Sequence, residues 1–365
     1  MRTVALLLIS LALAGCSRKE PIRIGFLAGL SGRVADLGAA GRNGAMLAVE
    51  QRNAAGGVNG RQLELVVRDD GQDPETAIRA VRELIGQQVE LIVGPMTSSI
   101  AMAILPEINL SKTILLSPTV TSTALTGKDD NLLRVIDDTR SYASKSARYQ
   151  LQELGHRSVA VLYDQSNAAY SESWLADFVM EFERLGGKVL STQAFRSGTS
   201  TPFSGLAREA LAVRPEVVLV IANAVDAATI FQQVRKIKPG VPLAASEWAS
   251  TERFIELAGA SAEGATISQF IDRNDSSARY RAFSGAFRER FGHEPGFAGL
   301  AGYDAAQVAV EAYQRRRPGS TLKQTILAIG DFAGAQQQIR IDPLGDANRA
   351  SYLTEVRNGS YRTLE

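Results

Sequence analysis

Hydroxyl side chains follow directly after a predicted strand at 89–93, where they could bind an anion. The stretch reads Gly-Pro-Met-Thr-Ser-Ser and opens a predicted helix, with Thr97 and Ser98 at its start. Backbone N–H groups at a helix start attract negative charge, and neighbouring hydroxyls can add hydrogen bonds. The same hydroxyls could instead cap the helix, because Ser and Thr are preferred N-cap residues. Both interpretations stay open for Ser98, and one residue can serve both.

Two further groups of polar residues follow predicted strands in the same way. Thr119 and Thr121 lie in Ser-Pro-Thr-Val-Thr, after the predicted strand at 113–116 and at the same end of the sheet. A Ser-Pro-Thr sequence is also typical of a turn. Glu247 comes just after the predicted strand at 243–245. An acidic residue in that place is commonly a solvated loop residue, but it could also hold an ammonium group.

Composition excludes several kinds of chemistry. The 365 residues include 40 Lys and Arg against 39 Asp and Glu, so no excess of positive charge favours nucleic acid. Two histidines, His156 and His293, are too few for the usual histidine metal site, and both are expected at the surface. There is no Walker A loop, nucleophile elbow or His-Glu-x-x-His motif. The sequence therefore predicts a protein without metal or cofactor, and not an enzyme.

The N-terminus carries the pattern of an exported protein. An apolar run from 4 to 14 follows a short start with one Arg, and it is too short to span a bilayer. The run ends in Leu-Ala-Gly-Cys, which resembles the bacterial lipobox, with the single cysteine at Cys16. This resemblance implies a signal peptide at 1–15, a lipidated Cys16, and a tether at 16–21 that holds the protein to a membrane in the periplasm. The alternative is an ordinary secretory signal with an incidental cysteine.

Strand and helix signals alternate along most of the chain. Predicted strands lie at 22–27, 63–68, 89–93, 113–116, 158–162, 188–190, 217–221 and 243–245. Predicted helices lie between and after them, at 38–54, 74–87, 139–154, 170–185, 202–212, 224–237, 276–291, 299–315 and 321–329. Segments 337–341 and 352–356 are β-rich. This alternation is typical of α/β proteins with parallel sheets covered on both faces, and the length favours two doubly wound lobes.

An ordered series of short motifs resembles one protein family. The motifs are Gly-Phe-Leu-Ala-Gly-Leu-Ser-Gly at 25–32, Ala-Asp-Leu-Gly at 35–38, Asn-Gly-Ala-Met-Leu-Ala-Val-Glu at 43–50, Asn-Ala-Ala-Gly-Gly-Val-Asn-Gly-Arg at 53–61, Val-Gly-Pro at 93–95, Asp-Pro-Leu-Gly-Asp at 342–346 and Val-Arg-Asn-Gly-Ser-Tyr at 356–361. Together they resemble the leucine/isoleucine/valine-type periplasmic binding proteins, the substrate-binding components of branched-chain amino-acid ABC transporters. The resemblance covers essentially the whole chain after the signal.

This resemblance implies a type I periplasmic binding fold, in which a three-segment hinge joins two α/β lobes around a ligand cleft. Lobe one would comprise 22–138 plus 269–332, and lobe two 139–268 plus 333–365. The protein would bind an amino acid or a related small molecule and deliver it to an ABC permease, as a monomer anchored by lipid. A sensor or regulatory receptor that uses the same clamp without transport is the alternative, because the fold is shared by both classes.

The resemblance also implies which residues hold the ligand. Ser98 would contact the ligand carboxylate through its hydroxyl, together with a backbone group of Thr119 and the hydroxyl of Thr121. Glu247 would pair with the ligand ammonium, and Tyr170 would be the aromatic residue of a loop that closes over the ligand. The spacing between these positions is that of the family.

Several positions depart from the family pattern. The loop before Tyr170 is longer than usual, and Ser171 replaces a glycine. Asn223 and Leu37 are expected in the ligand pocket at positions where larger aromatic residues are usual, so a more polar or longer ligand side chain could be accepted. Asp137 and Asp138, near the first hinge segment, are weaker candidates for binding the ammonium.

Overall fold

A computed structural model of the chain describes residues 20–364, so the predicted signal peptide and Cys16 lie outside the described residues. The strands are β1 (Ile22–Ala28), β2 (Leu63–Asp69), β3 (Leu91–Val93), β4 (Ile114–Ser117), β5 (Leu132–Arg134), β6 (Ser158–Asp164), β7 (Lys188–Phe195), β8 (Val217–Ile221), β9 (Leu243–Ala245), β10 (Thr266–Gln269), β11 (Asp331–Ala333), β12 (Gln338–Ile341), β13 (Ala347–Asn348), β14 (Tyr352–Arg357) and β15 (Ser360–Thr363).

Helices alternate with these strands. They are α1 (Ala35–Ala54), α2 (Pro74–Gly86), α3 (Ser98–Asn109), α4 (Thr139–Arg148), α5 (Ala168–Arg184), α6 (Phe203–Ala212), α7 (Ala224–Ile237), α8 (Glu252–Ala258), α9 (Ala278–Phe291), α10 (Gly296–Arg315) and α11 (Leu322–Ile329). Within residues 20–364, none of the helices has the length and apolar character needed to cross a membrane.

The first sheet is fully parallel and forms the centre of lobe one. Its strand order is β2-β1-β3-β4-β5, with every neighbouring pair parallel. Helices α2 and α3 bury one face of this sheet, and α1 and α10 bury the other. Because both faces are covered, the central strands consist almost entirely of apolar residues.

The second sheet forms the centre of lobe two and is mixed. Its order is β15-β14-β10-β9-β8-β6-β7, in which β14 and β15 run antiparallel to their neighbours and the other pairs are parallel. Helices α4 and α5 cover one face, and α6, α7 and α8 cover the other. A small antiparallel sheet of β11, β12 and β13 lies between α11 and β14 in the chain.

Close packing of two helices explains part of the glycine-rich N-terminal region. An added Cβ at Gly44 of α1 would lie 2.0 Å from the carbonyl oxygen of Gly299, and one at Gly302 of α10 would lie 2.1 Å from that of Gly41. Distances this short are clashes, so the backbones of α1 and α10 can touch only where both helices carry glycine. These glycines therefore serve helix packing in lobe one.

The chain passes between the two sheets three times, after β5, after β10 and before β14. The expected fold class, two α/β lobes built on parallel sheets, is confirmed, with β14 and β15 as antiparallel additions. The sequence did not predict β5 or β10, which are only three and four residues long. The helix predicted at 139–154 ends at Arg148 and continues as a π-helical turn over Tyr149–Glu153. The lobe boundaries given above stay a prediction.

Candidate functional site

A cavity lies between the two lobes at the carboxyl ends of their parallel strands. Six predicted residues line it: Leu37, Ser98, Thr119, Thr121, Tyr170 and Glu247. The space bounded by the lining atoms, including the part open to solvent, is about 330 Å³. The structure therefore brings most of the predicted residues together around one cavity.

On the side of lobe one, the wall is built from hydroxyl groups at the start of α3. Ser98 Oγ accepts hydrogen bonds from the backbone N–H groups of Thr121 and Ser122, both at 3.3 Å. A hydroxyl that accepts in this way keeps its own proton to donate. The N-cap residue of α3 is Thr97, which makes no side-chain cap bond. Neither hydroxyl is therefore used as a helix cap, which was the alternative interpretation of this stretch.

Thr119 and Thr121 play different parts in this wall. The Thr119 hydroxyl donates to the carbonyl oxygen of Met96 at 2.7 Å and so ties the loop after β4 to the loop after β3. The Thr121 hydroxyl is buried and has no hydrogen-bond partner among the described residues. Buried polar groups are normally paired, because leaving one unpaired costs about 1–3 kcal/mol. Thr121 is thus free to bond to an acceptor in the cavity.

On the side of lobe two, the cavity is bounded by the carboxylate of Glu247. This residue lies two positions after the end of β9, at the start of a short 3-10 turn, and it is only 4% exposed. Its Oε2 accepts from Trp174 Nε1 at 2.8 Å and from Ser268 Oγ at 3.4 Å. Its Oε1 makes no hydrogen bond to the described residues. Glu247 is therefore not a solvated loop residue.

Burial of Glu247 changes its acidity. Loss of water raises its pKa to about 7, although hydrogen bonds from groups such as Trp174 favour the ionised form and oppose the rise. The nearby Tyr170 hydroxyl also favours the ionised form of Glu247 and lowers its pKa, although it forms no regular hydrogen bond. A carboxylate with this pKa gains much from a positive charge at its free oxygen. The site is thus suited to a cationic group.

Aromatic side chains surround that carboxylate. Tyr170 lies in α5 and packs edge-to-face on Trp248, with ring centroids 5.5 Å apart. Burial raises the pKa of Tyr170 well above its usual value, and the charge of Glu247 adds to the rise. The Tyr170 hydroxyl is therefore a neutral donor near Glu247. Tyr170 lies near the start of α5, in agreement with the helix predicted at 170–185, whereas the family resemblance implied that it belongs to a closing loop.

Apart from Asn167, the other lining residues are predominantly apolar. Leu37 and Met96 come from lobe one, and they are joined in the lining by Ile136, Trp248 and Phe297. An apolar wall stabilises an apolar group that leaves water, by about 25 cal/mol per Å² of buried surface. The cavity thus combines polar groups for two charges with an apolar wall for a hydrocarbon group.

Sequence reasoning missed Asn167, which also lines the cavity. Its Oδ1 accepts from the backbone N–H of Ser99 at 3.0 Å, and Ser99 Oγ accepts from the N–H of Ala169 at 3.2 Å. These bonds join the start of α3 in lobe one to the start of α5 in lobe two. The starts of these two helices are about 70 residues apart in the sequence, and nothing in the sequence pattern indicated that they lie close together.

Three residues predicted for the ligand site are not among those that line the cavity. Asn223 caps α7: its Oδ1 accepts from the N–H of Asp226 at 3.0 Å, and its Nδ2 donates to Asp226 Oδ2 at 2.7 Å. Asp138 caps α4 and pairs with Arg140. Asp137 accepts from the backbone N–H of Asp138 at 2.8 Å. Residues next to strand ends can line the cavity or cap a helix, and Asn223 and Asp138 form helix caps.

Among residues 20–364, no cluster of three or more His, Cys, Asp or Glu side chains is arranged to hold a metal ion. His293 is exposed. His156, also expected at the surface, is half-buried, with its Nδ1 2.8 Å from Gln150 Oε1. Neither histidine lines the cavity between the lobes.

Two lobes that enclose a small polar and apolar cavity define the class of two-lobed solute-binding proteins. The sequence model of the family described as "Periplasmic binding protein" matches residues 21–360, and the chain belongs to this family. The expected type I periplasmic binding fold is confirmed. The protein binds a solute outside the cytoplasm and is not an enzyme.

Individual relatives agree with this assignment. The Leu/Ile/Val-binding protein BraC3 of Rhizobium johnstonii is 27% identical over 274 residues, which are 75% of this chain and 73% of the relative. A leucine binding protein, LivK, from Thermotoga maritima has a TM-score of 0.86 at 25% identity, covering 94% of this chain and 98% of its own. LivJ of Streptococcus pneumoniae, solved in complex with isoleucine, has a TM-score of 0.87 at 23% identity, covering 94% and 99%.

Proposed function

We propose that this protein binds an α-amino acid with an apolar side chain between its two lobes and delivers it to an ABC permease. The observation that carries the proposal is Glu247, a buried carboxylate with one oxygen free on the wall of the cavity. The names of the relatives, leucine and Leu/Ile/Val-binding proteins, support the same class of ligand. Lipidation of Cys16 would hold the protein at the membrane, as a monomer.

The cavity offers a partner to each charged end of an amino acid. Both the carboxylate and the ammonium lose water on entry, so each needs charge-assisted hydrogen bonds for binding to be favourable. On one side, Ser98 and Thr121 have hydroxyl protons to donate, and the positive end of the α3 dipole lies at Ser98. On the other side, Glu247 supplies a negative charge. Opposite ends of a zwitterion would thus bind opposite lobes.

Binding to both lobes provides a mechanism of closure. A ligand that contacts Ser98 and Thr121 on lobe one and Glu247 on lobe two binds the closed form more tightly than an open form. It therefore shifts the population toward the closed form. The permease would recognise that closed form and receive the ligand when the lobes separate. The apolar wall formed by Leu37, Met96 and Phe297 favours a hydrocarbon side chain over a charged one.

Calorimetry with the substitution Glu247→Gln tests the proposal. The variant keeps the size of the side chain and an oxygen for Trp174, but it removes the charge that would face the ammonium. We expect leucine to bind the wild type and to lose about 3 kcal/mol in the variant, or roughly a hundredfold in Kd, because the ammonium is left buried without a partner. Leucine without its ammonium, 4-methylpentanoate, should lose far less between the two proteins.

Glu64→Gln provides the control, since this side chain on β2 is 51% exposed and lies outside the cavity. Its affinity for leucine should equal that of the wild type. Equal affinity of wild type and Glu247→Gln for leucine would show that Glu247 does not pair with an ammonium. Binding of 4-methylpentanoate as tight as that of leucine in the wild type would instead favour a ligand with only a carboxylate.

A further inference from the structure

An arginine of lobe one reaches into lobe two outside the ligand cavity. Arg33 lies in the 3-10 turn Gly32–Val34, between β1 and α1. Its Nε donates to Asp226 Oδ1 at 2.8 Å, and its Nη2 bonds to the same oxygen. Asp226 lies in the first turn of α7, on lobe two. The side chain of Asp226 is fully buried, whereas that of Arg33 is 26% exposed. This ion pair therefore joins the lobes at the edge of the cleft.

The surface of lobe two that Arg33 contacts is a pocket of buried acidic and amide side chains, which can hold a cation. Asn223 fixes Asp226 through a side-chain bond of 2.7 Å, and its Nδ2 also lies 3.3 Å from Ser197 Oγ. Asp164, at the end of β6, is a second buried carboxylate, with its Oδ2 lacking a partner among the described residues. Burial raises the pKa of Asp164, and the charge of Asp226 adds to the rise. The guanidinium of Arg33 also lies over the Phe203 ring, 5.9 Å from its centre.

None of these residues lines the cavity between the lobes. Asn223, Asp226 and Asp164 all belong to lobe two and are held by contacts within it, so separation of the lobes would not dissolve their pocket. Separation would, however, remove Arg33 from it. With the lobes together, the side chain of Asp226 is fully buried, so its charge there depends on the cation that Arg33 supplies. The pair thus stabilises the closed arrangement and has no counterpart once the lobes part.

We propose that Arg33 and Asp226 form a latch that stabilises the closed lobes without touching the ligand. The latch deepens the proposed function and rests on it, because ligand binding and lobe closure are coupled there. A ligand that needs the closed form has an apparent Kd equal to its intrinsic Kd divided by the closed fraction. The latch raises that fraction, so it tightens binding of every ligand by the same factor and slows release.

Arg33→Ala tests the latch by calorimetry and by stopped-flow tryptophan fluorescence, since Trp248 lines the cavity. We expect the Kd for leucine to rise about 10- to 100-fold, mainly through a faster off-rate, because a charge-assisted hydrogen bond is lost. The Kd for isoleucine should rise by the same factor. Arg33→Lys should lie between, since Lys keeps the charge but not the fork of donors. Arg23→Ala, which breaks the exposed pair with Glu64 on lobe one, is the matched control and should change nothing.

A readout without ligand separates the latch from the proposed function. Spin labels on the exposed positions Leu110 of lobe one and Lys238 of lobe two, introduced as cysteines, report the distance between the lobes. Without ligand, Arg33→Ala should shift the distribution toward longer distances than in the wild type. This shift is expected even if no amino acid binds, so the latch can hold while the proposed ligand fails. An unchanged distribution together with an unchanged Kd would overturn the latch.

A double-mutant cycle distinguishes the loss of the Arg33–Asp226 pair from a general effect of the substitution on folding. Asp226→Asn keeps the size and the Asn223 contact and removes the charge that Arg33 meets. In that background, Arg33→Ala should change the Kd less than about threefold, because the partner is already lost. Equal effects of Arg33→Ala in both backgrounds would overturn the pairing. Loss of affinity for one amino acid but not another would make Arg33 a ligand contact, which also overturns the latch.

Discussion

Two buried carboxylates in this molecule differ in how their charge is balanced. Asp304 of α10 forms a salt bridge of 2.9 Å with Arg349, and both side chains are completely buried. Glu247 is 4% exposed, and the described part of the chain shows no salt bridge to it. Burial raises the pKa of both, but in Asp304 the charge of Arg349 opposes the rise. The charge of Asp304 is thus balanced by a cation of the protein, whereas that of Glu247 is stabilised by hydrogen bonds alone.

The surroundings of Asp304 show what an internally compensated acid does. Its Oδ1 accepts from the backbone N–H of Ala335 at 2.7 Å, and Arg349 donates to the carbonyl oxygen of Val135 at 3.1 Å. The Arg349 guanidinium also lies over the Phe270 ring, 5.4 Å from its centre. Val135, Phe270 and Arg349 belong to the three segments that pass between the sheets. The pair therefore fastens the connections, whereas Glu247 keeps an oxygen free at the cavity between the same lobes.

The largest effect is expected from Asp304→Asn, which should lower the stability of the fold. The substitution keeps the shape of the side chain but leaves Arg349 buried without its anion. Removing one partner of a buried ion pair costs about 3–5 kcal/mol, so we expect the free energy of unfolding to fall by about that amount. Urea denaturation followed by circular dichroism would measure it.

The matched control for that experiment is Asp331→Asn. Asp331 pairs with Arg340 at 3.0 Å, but both side chains are more than half exposed, at 57% and 73%. Exposed pairs contribute about 0–1 kcal/mol, so this variant should be nearly as stable as the wild type. Equal stability losses for Asp304→Asn and Asp331→Asn would mean that the buried pair does not fasten the connections.

Glu247→Gln should instead stabilise the protein without ligand at pH 8, relative to the wild type. The pKa of Glu247 rises from 4.5 in the unfolded chain to about 7 in the fold. A raised pKa stabilises the fold below pH 4.5, and this contribution is lost as the pH rises from 4.5 to about 7. From these two pKa values, the loss amounts to about 3 kcal/mol at most. Wild type should therefore lose more stability than Glu247→Gln between pH 5 and pH 8.

Urea denaturation of both proteins at each pH measures this difference. Other acids with raised pKa values, such as Asp70 at about 6, are common to both proteins and cancel in the comparison. A parallel pH dependence for wild type and variant would show that Glu247 stays ionised throughout, and that its burial does not destabilise the charge. With a saturating amino-acid ligand, the wild type should regain its stability at pH 8, because the ammonium stabilises the charged form.

The sequence pattern placed several residues of the cavity at strand ends, but it left their roles open, and the family resemblance assigned them to the ligand. Ser98, Thr121 and Glu247 each lie just after an apolar strand, and the carboxyl ends of parallel strands meet at one edge of a sheet. Long apolar strands and well-capped helices, such as α2 with Asp73 as its N-cap, were also predictable. Local patterns thus suffice where a residue's position follows from one element.

The rest depends on contacts between distant segments, which no local pattern encodes. Arg33 and Asp226 are 193 residues apart, and Asn167 meets Ser99 across 68 residues. Asn223 was expected in the ligand pocket, but its position after β8 equally suits a helix cap, and that is what it forms. The state of charge of Glu247 likewise follows from its burial against residues of distant segments, such as Trp174 and Ser268. Which of the lining residues bind the ligand stays a prediction.

The smallest expected effect is a dependence of ligand affinity on pH. It tests directly whether Glu247, unlike Asp304, has no cation of the protein to balance its charge. An ammonium ligand binds the ionised form of Glu247, so a protonated Glu247 must release its proton on binding. With a pKa of about 7 in the free protein, affinity should be constant above pH 8 and should fall as the pH drops below 7. The fall should approach about tenfold per pH unit, or about 1.4 kcal/mol. Asp304, whose charge is balanced internally, contributes nothing to this effect.

Calorimetry with leucine between pH 5.5 and pH 8.5, in two buffers of different ionisation enthalpy, measures both the affinity and the proton released. About one proton should be released per ligand at pH 6 and almost none at pH 8. Glu247→Gln should bind weakly at every pH and release no proton. Constant wild-type affinity from pH 5.5 to pH 8.5 would mean that Glu247 is already ionised without ligand. That result would contradict a pKa of about 7 for Glu247 in the free protein, and the affinity of Glu247→Gln would then decide whether the ammonium pairs with it.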